Sequence, residues 1–173
     1  TGDGCILSGM ARGFRDLLTL GLIDRLPRLI AVQAEGSNAI ALALENECAV
    51  AAIKAHSVAD SITVDLPRNG AMAVRDIKES GGRAIVVSDE SILAAAHELA
   101  STTGIFVEPA AAASLAGLRA CLHDGSCSRQ ESTVLLATGS GLKDIDSATH
   151  TVPGPIVVDR SLRSLEAAIQ REQ

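Results

Sequence analysis

The sequence predicts an α/β fold of three layers, in which helices cover both faces of a mainly parallel β-sheet. Short apolar runs that are typical of buried strands alternate with longer segments of helical periodicity along the 173 residues. Only two aromatic residues occur, Phe14 and Phe106, so the core must consist of Ala, Leu, Ile and Val side chains. Such side chains suit helices that pack on a parallel sheet.

Composition and charge narrow the expected partners. Apolar residues make up 47% of the chain and charged residues 21%, as in globular proteins, and no apolar run approaches the roughly 20 residues of a membrane span. The net charge of −6 and the lack of Trp and Tyr argue against a nucleic-acid partner, which requires a basic face and aromatic stacking. The four cysteines are irregularly spaced, as in reduced cytosolic proteins. We therefore expect a cytoplasmic protein that acts on a small molecule, with no nucleic-acid and no membrane partner.

The first half of the chain predicts a helix, a buried strand and a second helix. We expect these elements at residues 8–20, 28–34 and 37–50. The first helix carries apolar residues at the spacing of one face, and Gly21 stands where a glycine commonly ends a helix. The strand is a short apolar run after Pro27. Residues 55–69 show no regular pattern apart from a possible short strand at 61–64.

The second half repeats the alternation of helices and strands. We expect a helix from Ala71 to about Ser80, a strand at 83–87, a helix after Ser88, a helix that begins at Pro109, and a strand at 133–137. In the helix after Pro109, we expect Ala111, Leu115, Leu118 and Leu122 to face inward. A Pro-Gly-Pro segment at 153–155 then separates a tail with a terminal helix, which predicts one domain over 1–150 and a tail over 151–173.

Two glycine-containing segments are candidates for ligand binding. In residues 2–9, glycines allow backbone N–H groups to converge at the start of the first helix, which favours an anion such as phosphate, although such a segment can also be only a tight turn. It lacks the Gly-Lys-Ser/Thr ending of a Walker A loop and the spacing of a dinucleotide fingerprint. Residues 138–141 follow the strand at 133–137, and the carboxyl ends of strands are where open α/β sheets bind ligands.

An ordered series of short segments resembles the second half of threonine synthases, a family of fold-type II pyridoxal-phosphate enzymes. The series comprises residues 2–5, 12–14, 26–36, 59–62, 67–69, 87–90, 106–110 and 138–144. The resemblance implies the tryptophan synthase β-like fold and pyridoxal 5′-phosphate as the cofactor. It also implies a lyase reaction of threonine biosynthesis, in which O-phosphohomoserine and water give threonine and phosphate.

The resemblance further implies which residues bind the cofactor. The loop that holds the cofactor phosphate corresponds to Gly2, Asp3, Gly4, Cys5 and Ile6, and the hydroxyl residue that faces the pyridine nitrogen corresponds to Thr138. The family often has Asn at the position of Asp3, so this carboxylate would approach the phosphate unless the side chain points away and only the backbone N–H is used. Ser140 replaces an Asn or His that is common in the family.

The lysine that forms the Schiff base is expected upstream of Thr1, because Lys54, Lys78 and Lys143 all lack the family's local context. We therefore expect no catalytic residue within this chain. The chain would be the C-terminal portion of the large domain, inactive by itself, completed by the N-terminal part of the same enzyme and prone to form a homo-oligomer. We expect Lys143 to stabilise the turn after Thr138 or to pair with Asp144.

Two alternative functions stay open, and so does the role of one pair of residues. Threonine or serine dehydratases and cysteate synthases share the scaffold, although residues 2–5 lack the run of glycines that is typical of the dehydratases. A non-catalytic nucleotide-binding domain would use residues 2–9 for a phosphate and Glu35 for a ribose. Arg68 and Asn69 could bind a phosphate or carboxylate of the substrate, or could instead begin the next helix.

We expect no metal. Cys121, His123 and Cys127 have a spacing that suggests zinc, but no second ligand pair of recognised spacing accompanies them.

Overall fold

Two parallel strands lie at the centre of the protein in the computed structural model, which describes residues 1–149 and 151–170. Strand β1 (Ile30–Ala34) pairs with β2 (Arg83–Val87), so that Ile30 lies opposite Arg83 and Ala34 lies opposite Val87. The helices are α1 (Cys5–Thr19), α2 (Ala39–Glu45), α3 (Gly70–Glu79), α4 (Asp89–Thr103), α5 (Pro109–His123), α6 (Ile145–Thr149) and α7 (Leu162–Gln170). Short 3-10 turns occur at Asp60–Ile62 and Gly141–Lys143.

Helices pack on both faces of the sheet, which confirms the three-layer α/β prediction. Successive side chains of a strand point to opposite faces, so Ala31 packs against α1 and α3 while Val32 packs on the other side. Ile77 of α3 is fully buried on the same face of the sheet as Ala31, and Ile92 of α4 is fully buried on the face of Val32. The sheet therefore has an apolar core on each face.

Helix α5 lies unusually close to β1 because its inward face carries small residues. A Cβ atom added at Gly117 would lie 2.2 Å from Cγ2 of Val32. The buried positions of this helix are mainly alanines, whereas Leu115, Leu118 and Leu122 are only half-buried. The prediction of an inward face is confirmed for Ala111 and for the partly buried Leu115, which pack in the core, and is wrong for Leu118 and Leu122, because the close approach of helix and sheet leaves room only for small side chains.

The first two helices differ from their predicted lengths for reasons of local geometry. Helix α1 begins at Cys5 rather than at residue 8, and Gly21 ends it as predicted, with a φ of 69°. Helix α2 stops at Glu45, before the predicted end at residue 50. Glu47 adopts a φ of 50° there, and the N–H of Cys48 donates to the carbonyl of Ala43 at 3.1 Å, which closes the helix.

The possible strand at 61–64 is wrong. The N–H of Thr63 donates to the carbonyl of Asp60 at 2.9 Å, and its Oγ1 donates to the carbonyl of Ala59 at 3.0 Å. These local bonds curl the chain into the Asp60–Ile62 turn, because a threonine hydroxyl can satisfy a backbone carbonyl in place of a neighbouring strand.

The predicted strand at 133–137 does not form either. Residues 132–138 are irregular, and Val134 is 85% exposed and Leu136 is 44% exposed. Apolar β-branched residues favour a strand, but a strand also needs a neighbour for its backbone N–H and C=O groups. Within the described residues, β1 and β2 form a two-stranded sheet and pair only with each other.

Helix α7 is the terminal helix that the tail predicts. Its apolar residues Leu162, Leu165 and Ile169 are all exposed. The division of the chain into a domain over 1–150 and a tail over 151–173 stays a prediction, and residues 150 and 171–173 of it lie outside the described part. In that described part, no helix is both long enough and apolar enough to cross a membrane.

Asp76 joins α3 to α1 through a buried carboxylate. Its Oδ1 accepts from Arg15 at 3.1 Å and from Arg75 at 2.8 Å, and Arg15 also bonds Glu79 at 2.9 Å. Burial raises the pKa of Asp76, but the hydrogen bonds outweigh burial and lower the pKa below its ordinary value of 3.8. The charged form of Asp76 therefore stabilises the folded state.

Replacing Asp76 by Asn is expected to reduce the free energy of unfolding at pH 7 by about 1–2 kcal/mol. The expected loss is smaller than for a fully buried ion pair, because solvent screens the two partly exposed arginines. A lowered pKa gives stability that is present above 3.8 and lost as the pH falls through the folded-state value. The difference between the two proteins should thus narrow in acid. Urea unfolding of the wild type and of Asp76→Asn between pH 7 and pH 3 measures the difference in the free energy of unfolding. A difference that does not change with pH would contradict the stabilising role of the charged Asp76.

Candidate functional site

The segment before α1 lies between β1 and the Asp60–Ile62 turn. The backbone nitrogen of Thr1 donates to the carbonyl of Val32, and the side-chain amide of Gln33 donates to the carbonyl of Thr1 at 3.0 Å. A Cβ added at Gly2 would lie 2.9 Å from the Cα of Ile62, which is closer than real side chains approach. Position 2 therefore needs glycine so that the backbone can pass between its neighbours.

Helix α1 begins with its first N–H groups uncapped. Gly4 is the N-cap residue with a φ of 82°, and within the described residues no side chain caps this helix end. The N–H groups of Cys5, Ile6 and Leu7 belong to the first turn, which carries the positive end of the helix dipole. The side chains of Cys5 and Ile6 are exposed, so the surrounding space is open. Such an end is suited to a phosphate.

Asp3 uses its carboxylate at a different helix. Its Oδ1 accepts from the backbone N–H of Arg68 at 2.9 Å, and its carbonyl accepts from the N–H of Asn69 at 3.0 Å. These bonds stabilise the start of α3, where a negative charge is favourable. The carboxylate is thus engaged at α3, as the sequence requires if the loop is to receive an anion. The side chain of Arg68 itself is exposed.

Thr138 lies at the start of a turn that is fixed to α5. Thr138 is exposed. The carbonyl of the next residue, Gly139, accepts a hydrogen bond from the N–H of Glu108 at 3.1 Å. The N–H of Gly141 donates to the carbonyl of Phe106 at 3.0 Å. Two backbone bonds therefore hold the turn, although residues 133–137, which lead into it, form no strand.

Three polar side chains connect the Thr138 turn to the loop before α1. Lys143 Nζ lies 3.1 Å from Glu108 Oε2 and donates to Ser61 Oγ at 2.7 Å. Ser61 Oγ in turn donates to Glu108 Oε2 at 3.3 Å. Because Ser61 adjoins Ile62, which contacts Gly2, the two predicted cofactor-binding segments lie on either side of the Asp60–Ile62 turn.

The cluster of Ser61, Glu108 and Lys143 is not among the site residues that the sequence predicts. Lys143 stabilises the turn after Thr138, as predicted, by pairing with Glu108. The alternative prediction, a pair with Asp144, is wrong. Asp144 instead accepts from both the hydroxyl and the N–H of Ser147, which lowers the pKa of Asp144. The available signal was Glu108 itself, because glutamate is not among the residues that usually occupy the N-cap of a helix.

The residues that are present fit pyridoxal phosphate. Gly2 and Gly4 form a cradle that a Cβ would fill, since a Cβ at Gly4 would lie 2.8 Å from that of Ala73. The uncapped N–H groups of α1 suit the phosphate, and the exposed hydroxyl of Thr138 suits a ring nitrogen. A cavity of about 270 Å³ lies elsewhere, between α4 and α6, and none of these residues lines it.

Cys121 lies on α5 with its thiol buried in the core, and burial raises the pKa of this thiol. A buried thiol of this kind is unreactive. Within residues 1–149 and 151–170, no group of three His, Cys, Asp or Glu side chains is placed to hold a metal ion.

Comparison with curated proteins relates the chain to threonine synthases. It is 38% identical to the threonine synthase of Methanosarcina acetivorans over 97% of this chain and 42% of that protein. It is 34% identical to the threonine synthase of Methanocaldococcus jannaschii over 98% of this chain and 42% of that protein. It is 39% identical to the threonine synthase of Mycobacterium tuberculosis over 86% of this chain and 40% of that protein. The chain thus spans about two fifths of the length of these relatives.

Solved structures share the fold at low sequence identity. A threonine deaminase from T.th. matches with a TM-score of 0.59 and 23% identity, over 83% of this chain and 48% of that one. Maize serine racemase matches with a TM-score of 0.60 and 17% identity, over 99% of this chain and 45% of that one. These matches confirm the expected fold-type II architecture.

A family model described as pyridoxal-phosphate dependent enzyme matches residues 1–139. That range includes residues 2–9, Ser61, Glu108 and Thr138, and it ends at Gly139, before Lys143. The resemblance that the sequence motifs indicated is therefore confirmed, and with it the cofactor of the family. This chain belongs to the pyridoxal-phosphate dependent enzyme family.

Proposed function

We propose that the chain is a portion of the large domain of a cytoplasmic threonine synthase, which converts O-phosphohomoserine and water to threonine and phosphate. The identity of 34–39% to curated threonine synthases carries this proposal. The structural matches named threonine deaminase and serine racemase are only 23% and 17% identical. At such identities these structures indicate the shared fold alone, whereas the lack of a run of glycines in residues 2–5 favours the synthase over a dehydratase.

In this proposal, the backbone of Gly2, Asp3, Gly4, Cys5 and Ile6 binds the cofactor phosphate. The uncapped start of α1 supplies N–H donors and a positive dipole end, and the engagement of Asp3 at α3 keeps its carboxylate from opposing the anion. Gly4 allows the backbone to turn at a positive φ. Bound pyridoxal phosphate supplies an electron sink for negative charge that develops at the α-carbon of the substrate.

Thr138 orients the other end of the cofactor in this proposal. Its hydroxyl donates a hydrogen bond to the pyridine nitrogen, and the turn that carries it is fixed by the bonds to Glu108 and Phe106. A neutral hydroxyl provides no negative charge to hold a proton on that nitrogen. Thr138 therefore positions the ring without strengthening it as an acceptor of electrons.

The remaining parts of the enzyme complete the site. We propose that the N-terminal part of the same enzyme supplies the lysine that attaches the cofactor, and that the enzyme is a homo-oligomer that takes an amino-acid substrate. Lys54 and Lys78 are exposed, and Lys143 is engaged by Glu108. Exposed apolar residues such as Val134, at 85%, support the view that further chain covers this surface.

The substrate assignment can be tested with the full-length enzyme. Incubation with O-phosphohomoserine is expected to release phosphate and threonine in equal amounts. Serine and threonine serve as control substrates, because a dehydratase would release ammonia from them. Ammonia release without any action on O-phosphohomoserine would replace the synthase proposal by the dehydratase alternative.

The 173-residue chain by itself is expected not to attach pyridoxal phosphate covalently. The reason is that its three lysines lie outside the family context and one of them is ion-paired. Borohydride reduction followed by peptide mapping measures the attachment, with the full-length enzyme as the positive control. One specifically modified lysine among Lys54, Lys78 and Lys143 would show that the expectation is wrong.

A further inference from the structure

We propose that Glu108 is a positioning residue for Thr138, held in place by Lys143 and Ser61. The inference rests on the proposed role of Thr138 at the cofactor ring and adds the group that fixes it there.

The carboxylate of Glu108 packs directly on the turn that follows Thr138. A Cβ added at Gly139 would lie 2.1 Å from Oε1 of Glu108, so the carboxylate fills the space that a side chain at position 139 would take. The backbone N–H of Glu108 also donates to the carbonyl of Gly139 at 3.1 Å. One residue therefore holds the turn through both its backbone and its side chain.

Glu108 does not use its carboxylate to cap α5. It occupies the N-cap position, yet its side chain makes no capping hydrogen bond. The first N–H groups of the helix are bonded instead by its backbone carbonyl, which accepts from Ala111 and Ala112 at 3.0 Å each. The side chain is thus directed to the Thr138 turn and not to the helix that it precedes.

The ion pair with Lys143 makes this arrangement stable. The Glu108 side chain is only 9% exposed, whereas that of Lys143 is 63% exposed. A carboxylate this deeply buried is costly without a counter-charge, so it draws Lys143 and its turn toward α5. The hydroxyl of Ser61 is hydrogen-bonded to both Glu108 and Lys143. Ser61 therefore connects the ion pair to the Asp60–Ile62 turn, which contacts Gly2. The cluster thereby joins the ring side of the proposed site to its phosphate side.

A double-mutant cycle in the full-length enzyme tests the inference. The variants are Glu108→Gln, Thr138→Val and the two combined, and the measurement is the dissociation constant of pyridoxal phosphate from titration of the apoenzyme. We expect Glu108→Gln to weaken binding by about fivefold to tenfold, and by no more than Thr138→Val does, because the change acts by misplacing the neutral hydrogen bond of Thr138. In the Thr138→Val background, the same change should add less than about twofold, because the residue acts through Thr138.

Further variants separate positioning from general stability. Lys143→Met should behave like Glu108→Gln, while Lys143→Arg keeps the charge and should restore most of the binding. Glu98→Gln is the matched control, since Glu98 pairs with Arg119 between α4 and α5 away from the site and should leave cofactor binding unchanged. Hydrogen exchange of the peptide over 138–143 should be faster in Glu108→Gln and Lys143→Met, with or without cofactor.

The outcomes distinguish the inference from the proposed function. A wild-type enzyme that binds no pyridoxal phosphate would refute both. If Thr138→Val weakens binding but the effect of Glu108→Gln is absent or fully additive, only the inference on Glu108 is overturned. Unchanged hydrogen exchange at 138–143 in both cluster variants would overturn it as well.

Discussion

Replacing Gly4 by Val in the full-length enzyme is expected to weaken pyridoxal phosphate binding by roughly one to three orders of magnitude. A non-glycine residue at a φ of 82° costs about 1–2 kcal/mol, and the added side chain must displace Ala73, whose Cβ would lie 2.8 Å away, at a further cost of about 1–3 kcal/mol. The protein can relieve both costs by moving the loop, and the N–H groups at the start of α1 would then no longer converge on the phosphate.

Titration of the apoenzyme with cofactor measures the effect on Gly4→Val. Gly9→Ala is the matched control, because Gly9 lies in the same helix with no atom near the added Cβ and should bind the cofactor normally. Thermal unfolding shows whether the variant is folded, and Gly4→Ala provides a smaller change if it is not. Normal cofactor affinity in a folded Gly4→Val protein would remove the loop from the proposed site.

Replacing Thr138 by Asp is expected to change the reaction outcome and not only the affinity. A carboxylate opposite the pyridine nitrogen favours a proton on that nitrogen, which makes the ring a stronger electron sink and alters which bonds the enzyme breaks. The new carboxylate would also lie one residue from Gly139, against which Glu108 packs, so the two negative charges would compete for Lys143.

Two further variants calibrate the result at position 138. Thr138→Ala removes one neutral hydrogen bond and should cost about 0.5–1.5 kcal/mol of cofactor binding. Thr138→Ser keeps the hydroxyl and should resemble the wild type. Cofactor affinity, absorbance spectrum and product ratio are compared across the set in the full-length enzyme. If Thr138→Asp and Thr138→Ala both leave all three unaltered, Thr138 does not face the pyridine nitrogen.

Much of the candidate site could be recognised from local sequence. The glycines at positions 2 and 4 indicate a turn that brings backbone N–H groups to a helix start, and the structure shows an uncapped helix end there. Asp3 stands where the family often has Asn, and its carboxylate needs a partner away from the phosphate. That partner, the backbone N–H of Arg68, could not be predicted from the sequence, because it is 65 residues away.

The polar cluster around Glu108 shows the limit of local reasoning. Ser61, Glu108 and Lys143 are separated by tens of residues, and each has an ordinary local interpretation as a loop residue, a helix start or a turn. Only the packing of α5 on the sheet and the return of the chain at Gly141 bring them within hydrogen-bond distance. Long-range side-chain partners leave no periodic signal in a sequence.

What the sequence determined by itself was the set of elements whose signals are local. Strand β2 lies at the predicted residues 83–87, Ser88 accepts the N–H of Ser91 at the start of α4 at 3.2 Å, and Pro109 begins α5. Periodicity, caps and turns act within a few residues, so these elements require no knowledge of the remaining chain.

The tertiary structure alone decided which apolar runs become strands and which residues reach the core. Residues 133–137 are as apolar as β1, yet they form no strand, because a strand requires a hydrogen-bonding neighbour that sequence composition cannot supply. In α5, alanines and Gly117 take the positions nearest to β1, and Leu118 and Leu122 are only half-buried, because the distance between α5 and Val32 sets the size of side chain that fits. Both outcomes depend on the arrangement of distant segments, which is a property of the folded molecule.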